Sequence, residues 1–123
     1  MVVSLKQRFA GHAKQVGLMA SQSRITNYNG RYVVIVDDDI DPTDTDDVIW
    51  AMGTRTNPVE DIDFLRRTWN SGLDPSLKKP HTGLFTSVAV IDACKPFEWI
   101  NDFPKEVDVS PELMARVRAK FGE

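Results

Sequence analysis

Seven aspartates fall within eleven consecutive positions of this chain, and their type and spacing could do chemistry. They are Asp37, Asp38, Asp39, Asp41, Asp44, Asp46 and Asp47. The cluster directly follows Tyr32 to Val36, an apolar run that predicts a strand buried on both faces. Ligands of open α/β sheets bind at the carboxyl ends of such strands. Three functions fit this placement: a magnesium site, a phosphate-accepting aspartate pocket of the signalling receiver type, and a loop that shapes a pocket shared with another domain.

A structural interpretation of the same aspartates stands beside these three. Asp44, Asp46 and Asp47 suit the first turn of a helix, where the helix dipole favours negative charge. Asp37 to Asp41 suit a turn bonded to backbone N–H groups, although neighbouring carboxylates repel and need donors or a cation. A receiver is disfavoured because a complete strand and helix precede the acidic strand. A nucleotide hydrolase is excluded too, because the sequence contains no G-x-x-x-x-G-K-[ST] loop.

Other reactive side chains are few. His12 and His81 are the only histidines and form no H-x-x-x-H pattern, so a histidine metal site is not expected, and His12 is interpreted as structural. Cys94 is the single cysteine, which precludes an internal disulfide and predicts a packed thiol. No serine stands in a G-x-S-x-G motif. The residues alone therefore assemble no complete catalytic set.

The hydrophobic patterns predict an α/β fold with a mixed, mostly parallel sheet flanked by helices and followed by a C-terminal helix. The predicted strands are Val2–Leu5, Tyr32–Val36, Ile62–Leu65 and Ser87–Ile91. A first helix is predicted from His12 to about Ser21. A second begins at Asp44 or Thr45, buries Val48, Ile49 and Met52, and ends at Gly53 and Asn57-Pro58. The last helix has Ser110 as N-cap, Pro111 at its first position and Gly122 as terminator. An irregular stretch is expected from Trp69 to Gly83.

Composition narrows the class of protein. The chain has 123 residues, 41% of them hydrophobic and 27% charged, which suits one folded domain and excludes a disordered chain. Its formal charge of −3 argues against a nucleic-acid surface. No apolar run approaches the roughly 20 residues that cross a bilayer, and Met1 to Gly11 lacks a secretion signal. A cytoplasmic protein with no membrane partner is expected.

Several segments, taken in order, resemble a known family. They are Val3-Ser4-Leu5-Lys6-Gln7 with Gly11-His12-Ala13-Lys14-Gln15, then Val33 to Asp41 with Val48-Ile49-Trp50-Ala51-Met52 and Thr54-Arg55, then Leu73-Asp74-Pro75 and Ile91 to Trp99. This order resembles the C-terminal domain of the UbiD-like decarboxylases, the prenylated-flavin enzymes that remove or add carboxyl groups on aromatic and α,β-unsaturated acids. The resemblance covers nearly the whole chain.

The resemblance implies where the cofactor and the substrate lie. In that family the prenylated FMN, its divalent metal and potassium, and the catalytic glutamate–arginine–glutamate set belong to a preceding domain, so no catalytic, cofactor-binding or metal-binding residue is assigned to this chain. Two loops close over the substrate side of the flavin. The resemblance assigns the matching substrate-binding positions to Asp41, Pro42, Thr43, Ser71, Gly72 and Leu73.

The expected function is that of a C-terminal domain or small subunit of a UbiD-like carboxy-lyase, inactive by itself and partnered by a cofactor-binding domain or large subunit. The alternative is a non-catalytic interaction or regulatory domain that retains the fold, and a third possibility is an independent magnesium-dependent domain built on Asp37 to Asp41. Residues 1–109 are expected to form the α/β domain. Residues 110–123 are expected to form a helix whose Leu113, Val117 and Phe121 either pack on the chain's own sheet or support homo-oligomerisation.

Overall fold

A four-stranded sheet with helices on both faces organises the chain in the computed structural model, which describes residues 1–28, 30–77 and 84–122. The strands are β1 (Val2–Leu5), β2 (Tyr32–Asp37), β3 (Ile62–Trp69) and β4 (Phe85–Ala93). The helices are α1 (His12–Ser21), α2 (Thr45–Arg55), α3 (Pro58–Asp61) and α4 (Pro111–Phe121), with single 3₁₀ turns at Thr26–Tyr28 and Phe97–Trp99. The predicted α/β class is confirmed.

The strands lie in the order β1-β2-β4-β3. β2 runs parallel to both β1 and β4, with Val34 beside Val2 on one side and Ile91 on the other. β3 runs antiparallel to β4, with Ile62 opposite Ile91 and Trp69 opposite Phe85. The carboxyl ends of β1, β2 and β4 therefore meet at one edge of the sheet, and β3 ends at the opposite edge.

Each face of the sheet carries its own core. Val34, Val36 and Ile91 pack with Val48 and Ala51 of α2 on one face. On the other face, Val33, Ile35 and Val90 pack with Ala13 of α1. Strand β2 is covered on both faces because its side chains alternate between the two cores, which explains why its residues from Val33 to Val36 are all apolar.

Gly17 lets α1 approach the sheet closely. A Cβ atom built at this position would lie 2.5 Å from Val90 Cγ1 and 3.2 Å from Ile35 Cγ1. A larger residue would push the helix away from the strands, so the sequence keeps a residue without a side chain at this contact.

Helix α2 begins where the sequence predicts and ends at Arg55, between the two predicted terminators Gly53 and Asn57-Pro58. Asp44 is its N-cap, because the carboxylate accepts hydrogen bonds from the N–H groups of Asp46 and Asp47. The helix passes through Gly53 to Arg55, since one exposed glycine costs a helix only about 1 kcal/mol. The buried positions are Val48, Ala51 and Arg55. The prediction that Ile49 is buried is wrong: it lies on the solvent side and is 59% exposed.

Helix α4 has the predicted start, cap and terminator. The Ser110 hydroxyl accepts a hydrogen bond from the N–H of Leu113, and Gly122 ends the helix in the left-handed conformation with φ 76°. No residue of α4 is buried.

Strand β3 extends further than predicted and includes Trp69. The rest of the predicted irregular stretch falls partly on 78–83, which includes His81 and lies outside the described residues.

The outer strand β3 contains a bulge near its end. Its pairing with β4 shifts between Arg66 and Thr68, and the intervening Arg67 has φ 58°, in the left-handed region. The Arg67 guanidinium carbon lies 4.8 Å from the ring centre of Phe85.

None of the helices in the described part of the chain is both long and apolar enough to cross a membrane.

Candidate functional site

The carboxyl edge of the sheet is organised around Asp37, the last residue of β2. Its side chain is buried, and its Oδ2 accepts a hydrogen bond of 2.7 Å from the N–H of Lys95, which follows β4. Its Oδ1 accepts a bond of 2.9 Å from Gln7 Nε2, and the same Gln7 nitrogen also donates to the Lys95 carbonyl at 2.8 Å. Asp37 thus joins the segments that follow three neighbouring strands.

Arg55, the last residue of α2, supplies the cation that these carboxylates need. Its Nη1 lies 3.1 Å from Asp37 Oδ2 and 2.9 Å from Asp39 Oδ1, and its Nη2 lies 2.8 Å from Asp39 Oδ2. The guanidinium therefore grips Asp39 with two parallel hydrogen bonds, which is the strong geometry for an arginine–carboxylate pair. The Arg55 side chain is only 1% exposed, and its carbon Cζ lies 5.3 Å from the ring centre of Trp50.

This arrangement fixes the charge of the site. The hydrogen bond from Arg55 is the main cause that lowers the pKa of Asp39 to about 2, against partial burial, and Lys95 Nζ, 3.3 Å from Asp39 Oδ2, contributes to the same shift. The same bond to Asp39 raises the pKa of Arg55 above its ordinary value. Both groups therefore keep their charges at any physiological pH.

A third carboxylate approaches Arg55 from the connecting segment before α4. Glu106 Oε1 lies 3.6 Å from Arg55 Nη2 and is half-exposed. The Nε of Arg55 is buried and has no partner among the described residues. The guanidinium thus ties α2, the turn after β2 and the segment before α4 to one another.

The acidic cluster divides into two structural groups. Asp44, Asp46 and Asp47 lie at the start of α2, as predicted. Asp37 and Asp39 have oxygens that Arg55, Lys95 and Gln7 occupy, rather than oxygens free to bind a cation. Within residues 1–28, 30–77 and 84–122, no three His, Cys, Asp or Glu side chains lie close enough to hold a metal ion.

The predicted substrate-binding residues Asp41, Pro42 and Thr43 form the exposed turn between β2 and α2. Asp41 Oδ1 accepts bonds of 2.9 Å from the Thr43 N–H and 2.7 Å from the Thr43 hydroxyl, and these bonds lower the pKa of Asp41. The N–H of Asp41 donates to Asp47 Oδ2 at 2.9 Å. The turn is held by its own side chains, and its outer surface is available to a neighbour.

The second predicted segment, Ser71 to Leu73, lies at the opposite edge of the sheet because β3 runs antiparallel. The N–H of Asn70 donates to the Leu84 carbonyl at 2.7 Å, and Asn70 Nδ2 donates to Asp74 Oδ2 at 2.7 Å. Asp74 also pairs with Arg31, which directly precedes β2. Ser71 is buried, whereas Leu73 is 86% exposed beside a small cavity of about 230 Å³.

The structure therefore does not bring the two predicted loops together. Asp41 follows the end of β2 and Leu73 lies beside its start, and the six residues of β2 span about 20 Å at ~3.3 Å each. The cavity beside Leu73 is lined by none of Asp41, Pro42 and Thr43. Contact of either segment with a substrate stays a prediction.

Two cavities open at the carboxyl edge. The larger, of about 870 Å³, lies between α2 and the segment before α4, and its apolar lining includes Trp50, Ile100, Phe103 and Pro104. The smaller, of about 300 Å³, is lined by Asp37 to Asp39 and by Lys6, Gln7, Phe97 and Ile100. Arg55 and Lys95 line the larger cavity, and Lys95 lines both.

Comparison with known proteins identifies the family. Residues 1–93 match the family model of the 3-octaprenyl-4-hydroxybenzoate carboxy-lyase C-terminal domain. The chain belongs to this family. Its members are the UbiD-class C-terminal domains that the order of segments resembles.

Solved UbiD-class enzymes contain the same fold. HmfF from Pelotomaculum thermopropionicum, solved in complex with FMN, is 25% identical with a TM-score of 0.76, over 93% of this chain and 24% of that one. Vanillic acid decarboxylase from Sedimentibacter hydroxybenzoicus in closed form is 23% identical with a TM-score of 0.74, over 99% of this chain and 26% of that one. The 3,4-dihydroxybenzoic acid decarboxylase of Klebsiella pneumoniae is 24% identical and has a TM-score of 0.72, over 94% of this chain and 25% of that one. The chain thus spans about a quarter of the length of each.

Two further reactive residues of this UbiD-class domain, Cys94 and His12, lie among the described residues. Cys94 is buried, its Sγ lies 3.6 Å from the Ile35 carbonyl, and burial raises the pKa of its thiol, so it is the packed thiol that was predicted. His12 stacks on Phe9 at 4.5 Å between ring centres, and its Nδ1 accepts a hydrogen bond from the N–H of Arg8. This arrangement agrees with its structural interpretation.

Sequence reasoning missed Arg55 and Lys95 as the partners of the acidic strand. The need for donors or a cation was recognisable, because adjacent carboxylates cannot stand unpaired. The identity of the cation was not, since Arg55 lies 18 residues beyond Asp37 and 16 beyond Asp39. The one available signal was its position at the end of a helix that starts beside the same strand, where a basic residue favours the helix dipole.

Proposed function

We propose that this chain is the C-terminal domain, or a separately encoded small subunit, of a UbiD-class carboxy-lyase that acts on aromatic or α,β-unsaturated acids. The observation that carries the proposal is the match of residues 1–93 to the C-terminal domain of a carboxy-lyase, in a chain that spans about a quarter of its structural neighbours. HmfF is solved with FMN and, in an evolved dimeric form, with prenylated FMN. Those neighbours support the same cofactor in the complete enzyme.

We place the prenylated FMN, with its divalent metal and potassium, on the partner domain. The carboxylates at the carboxyl edge of this chain do not fit a metal-binding role, because Arg55 and Lys95 already hold the oxygens of Asp37 and Asp39. When bound to the partner, the flavin supplies the electron sink for carbon dioxide release. The part of this chain is to exclude water and confine the substrate.

The turn from Asp41 to Thr43 is the better candidate for the surface that closes over the substrate. It is exposed, it presents the apolar ring of Pro42, and the buried Arg55 network fixes the strand end from which it departs. A rigid support is what a pocket wall needs to hold a ring in one orientation. Ser71 to Leu73, at the other edge, would meet a partner from a different side.

Closure as a rigid unit is supported by the two forms of one neighbour. The vanillic acid decarboxylase is solved in closed and open forms, and this chain matches them with TM-scores of 0.74 and 0.72. Nearly equal agreement supports a domain that keeps its fold while the enzyme opens and closes, which is the usual behaviour of a hinged lid. At 23% sequence identity, both comparisons concern the fold alone.

The decisive experiment compares the purified chain with the chain co-purified from its native host. We expect the chain alone to show no flavin absorbance and to release no carbon dioxide from aromatic acids, and the co-purified complex to do both. Retention of flavin and carboxy-lyase activity by the chain alone would refute the proposal. A stable partner that carries no flavin would instead favour the alternative of a non-catalytic interaction domain.

A matched pair of variants in that complex tests the closing surface. Thr43→Trp places a bulky ring in the turn and should lower kcat/KM at least tenfold, with the flavin content unchanged. Val59→Trp makes a comparable change at another exposed position, on α3, and should leave kcat/KM within about twofold. Equal effects of the two substitutions would show that the Asp41–Thr43 turn has no special place at the substrate.

A further inference from the structure

One edge of the Arg55 guanidinium has no acceptor among the described residues. A guanidinium holds its N–H donors in one rigid plane. Nη1 donates to both Asp37 and Asp39, and Nη2 donates once, to Asp39. The second Nη2 donor and the Nε donor remain, and they are parallel because they lie on the same edge of the plane. Two parallel N–H groups of this kind form the fork that grips a carboxylate.

Burial makes this free edge unfavourable. The Arg55 side chain is only 1% exposed, and a buried donor without a partner has lost its hydrogen bonds to water without replacing them. Glu106 Oε1 lies 3.6 Å from Nη2, which is beyond hydrogen-bond distance, and the Glu106 side chain is half-exposed. A carboxylate of the chain therefore stands near Nη2 without bonding to it.

The cavity of about 870 Å³ between α2 and the segment before α4 includes both Arg55 and Glu106 in its lining. Cavities of roughly 300–1,000 Å³ hold small organic molecules. Trp50, Ile100 and Phe103 supply apolar and aromatic surface to the same cavity. The Trp50 ring centre lies 5.3 Å from Arg55 Cζ. An aromatic wall and a carboxylate fork thus belong to one cavity.

The charges of the lining favour an anion. Arg55, Lys95 and Lys105 line the cavity, against the acidic residues Glu106 and Asp108. The carboxylates that pair with Arg55 at the end of β2 are not part of the lining. An anionic group inside the cavity therefore faces more basic than acidic side chains.

We propose that this cavity binds a small aromatic carboxylate. The two carboxylate oxygens accept hydrogen bonds from the Nε donor and the second Nη2 donor of Arg55, and the ring packs against Trp50 and Phe103. Glu106 moves away from Arg55 when the ligand enters, so Glu106 competes with the ligand as a carboxylate of the chain itself. The site uses only residues of this chain and does not depend on the proposed carboxy-lyase role.

Isothermal titration calorimetry of the full chain with phenylacetate tests the site. Phenylacetamide has the same ring without the charge and should bind about tenfold more weakly, because an amide cannot fill a fork of two donors. Glu106→Gln removes the competing carboxylate and should tighten phenylacetate binding about threefold. Glu98→Gln makes the same change at an exposed position outside the cavity lining and should leave the dissociation constant within about twofold.

A matched pair of substitutions tests the aromatic wall. Trp50→Ala should weaken phenylacetate binding about fivefold, because the ring loses its stacking surface. Trp69→Ala removes a tryptophan of similar exposure, 40% against 38%, from β3 and should leave binding unchanged. Thermal melts of both variants show whether each is folded at the temperature of the titration.

The Nε–H resonance of Arg55 in ¹H–¹⁵N NMR spectra reports on the fork directly. It should move downfield as phenylacetate is added and stay in place with phenylacetamide. Absence of binding to both the wild type and Glu106→Gln at about 10 mM phenylacetate overturns the proposal. Equal binding of the acid and the amide, an unmoved Nε–H resonance, or equal affinities of Glu106→Gln and Glu98→Gln overturn it as well.

Discussion

Arg55 supplies the positive charge that compensates the carboxylates of Asp37 and Asp39 at the carboxyl edge of the sheet. Its side chain is 1% exposed and pairs with Asp37, which is 7% exposed, and with Asp39. A buried carboxylate that loses its cation is left without compensation, which is costlier than replacing the whole pair. The acidic strand end and the last turn of α2 are therefore mutually dependent.

Replacing Arg55 should destabilise the fold strongly. We expect Arg55→Met to lower the free energy of unfolding by about 3 kcal/mol, because Asp37 keeps only the donors from Gln7 and Lys95. Urea denaturation monitored by circular dichroism measures the change. Arg66→Met removes an exposed arginine from β3 and should change stability by less than about 0.5 kcal/mol. Similar losses for the two variants would contradict the role given to Arg55.

The lowered pKa of Asp39 predicts an acid-sensitive contribution to stability. Its folded pKa of about 2 lies below its ordinary value of 3.8, so the contribution is fully present above 3.8 and disappears as the pH falls through 2. Denaturation midpoints measured across this range should fall less steeply for Asp39→Asn than for the wild type. A slope should persist in the variant, because Arg31 also lowers the pKa of Asp74 to about 2. Identical profiles for variant and wild type would refute the prediction.

At the scale of the element, two glycines in similar helices should respond in opposite ways to alanine. Gly17→Ala should lower the free energy of unfolding by about 1–3 kcal/mol, because the added methyl group would lie 2.5 Å from Cγ1 of the buried, β-branched Val90. Gly53→Ala should stabilise by about 0.8 kcal/mol, because its surroundings are open and alanine favours the helix. Thermal melts at low protein concentration give both values. A stabilising Gly17→Ala would contradict the close approach of α1 to the sheet.

The elements most open to prediction were those with a local signal. The apolar composition of Tyr32 to Val36 predicts a buried strand. The two ends of α4 are predicted by Ser110 and Pro111 at its start and Gly122 at its end. Ile49 was misjudged because α2 leaves part of its apolar surface uncovered, which no periodicity reveals. The separation of Asp41 from Leu73 depends on the direction of β3, and strand direction comes from long-range pairing with β4 rather than from local residues.

At the scale of the whole molecule, residues 1–109 should fold without α4. The helix buries none of its residues. The free energy of unfolding of a chain that ends at 109 should therefore lie within about 0.5 kcal/mol of that of the full chain at low concentration. Guanidinium denaturation of the two chains measures the difference and tests the domain boundary expected from the sequence. A loss of several kcal/mol would mean that α4 belongs to the core of the domain.

The bulge at Arg67 has a consequence for how this sheet meets other molecules of its kind. β3 has one unpaired side, and a flat unpaired strand is a template on which further chains can add and grow into fibrils. The left-handed Arg67, between Arg66 and Thr68, breaks the regular row of N–H and C=O groups, and it places a charge near the end of the strand. An incoming strand would lose its register within a few residues. We therefore expect this side of the sheet to add further strands poorly, and the other unpaired side among the described strands belongs to the short β1.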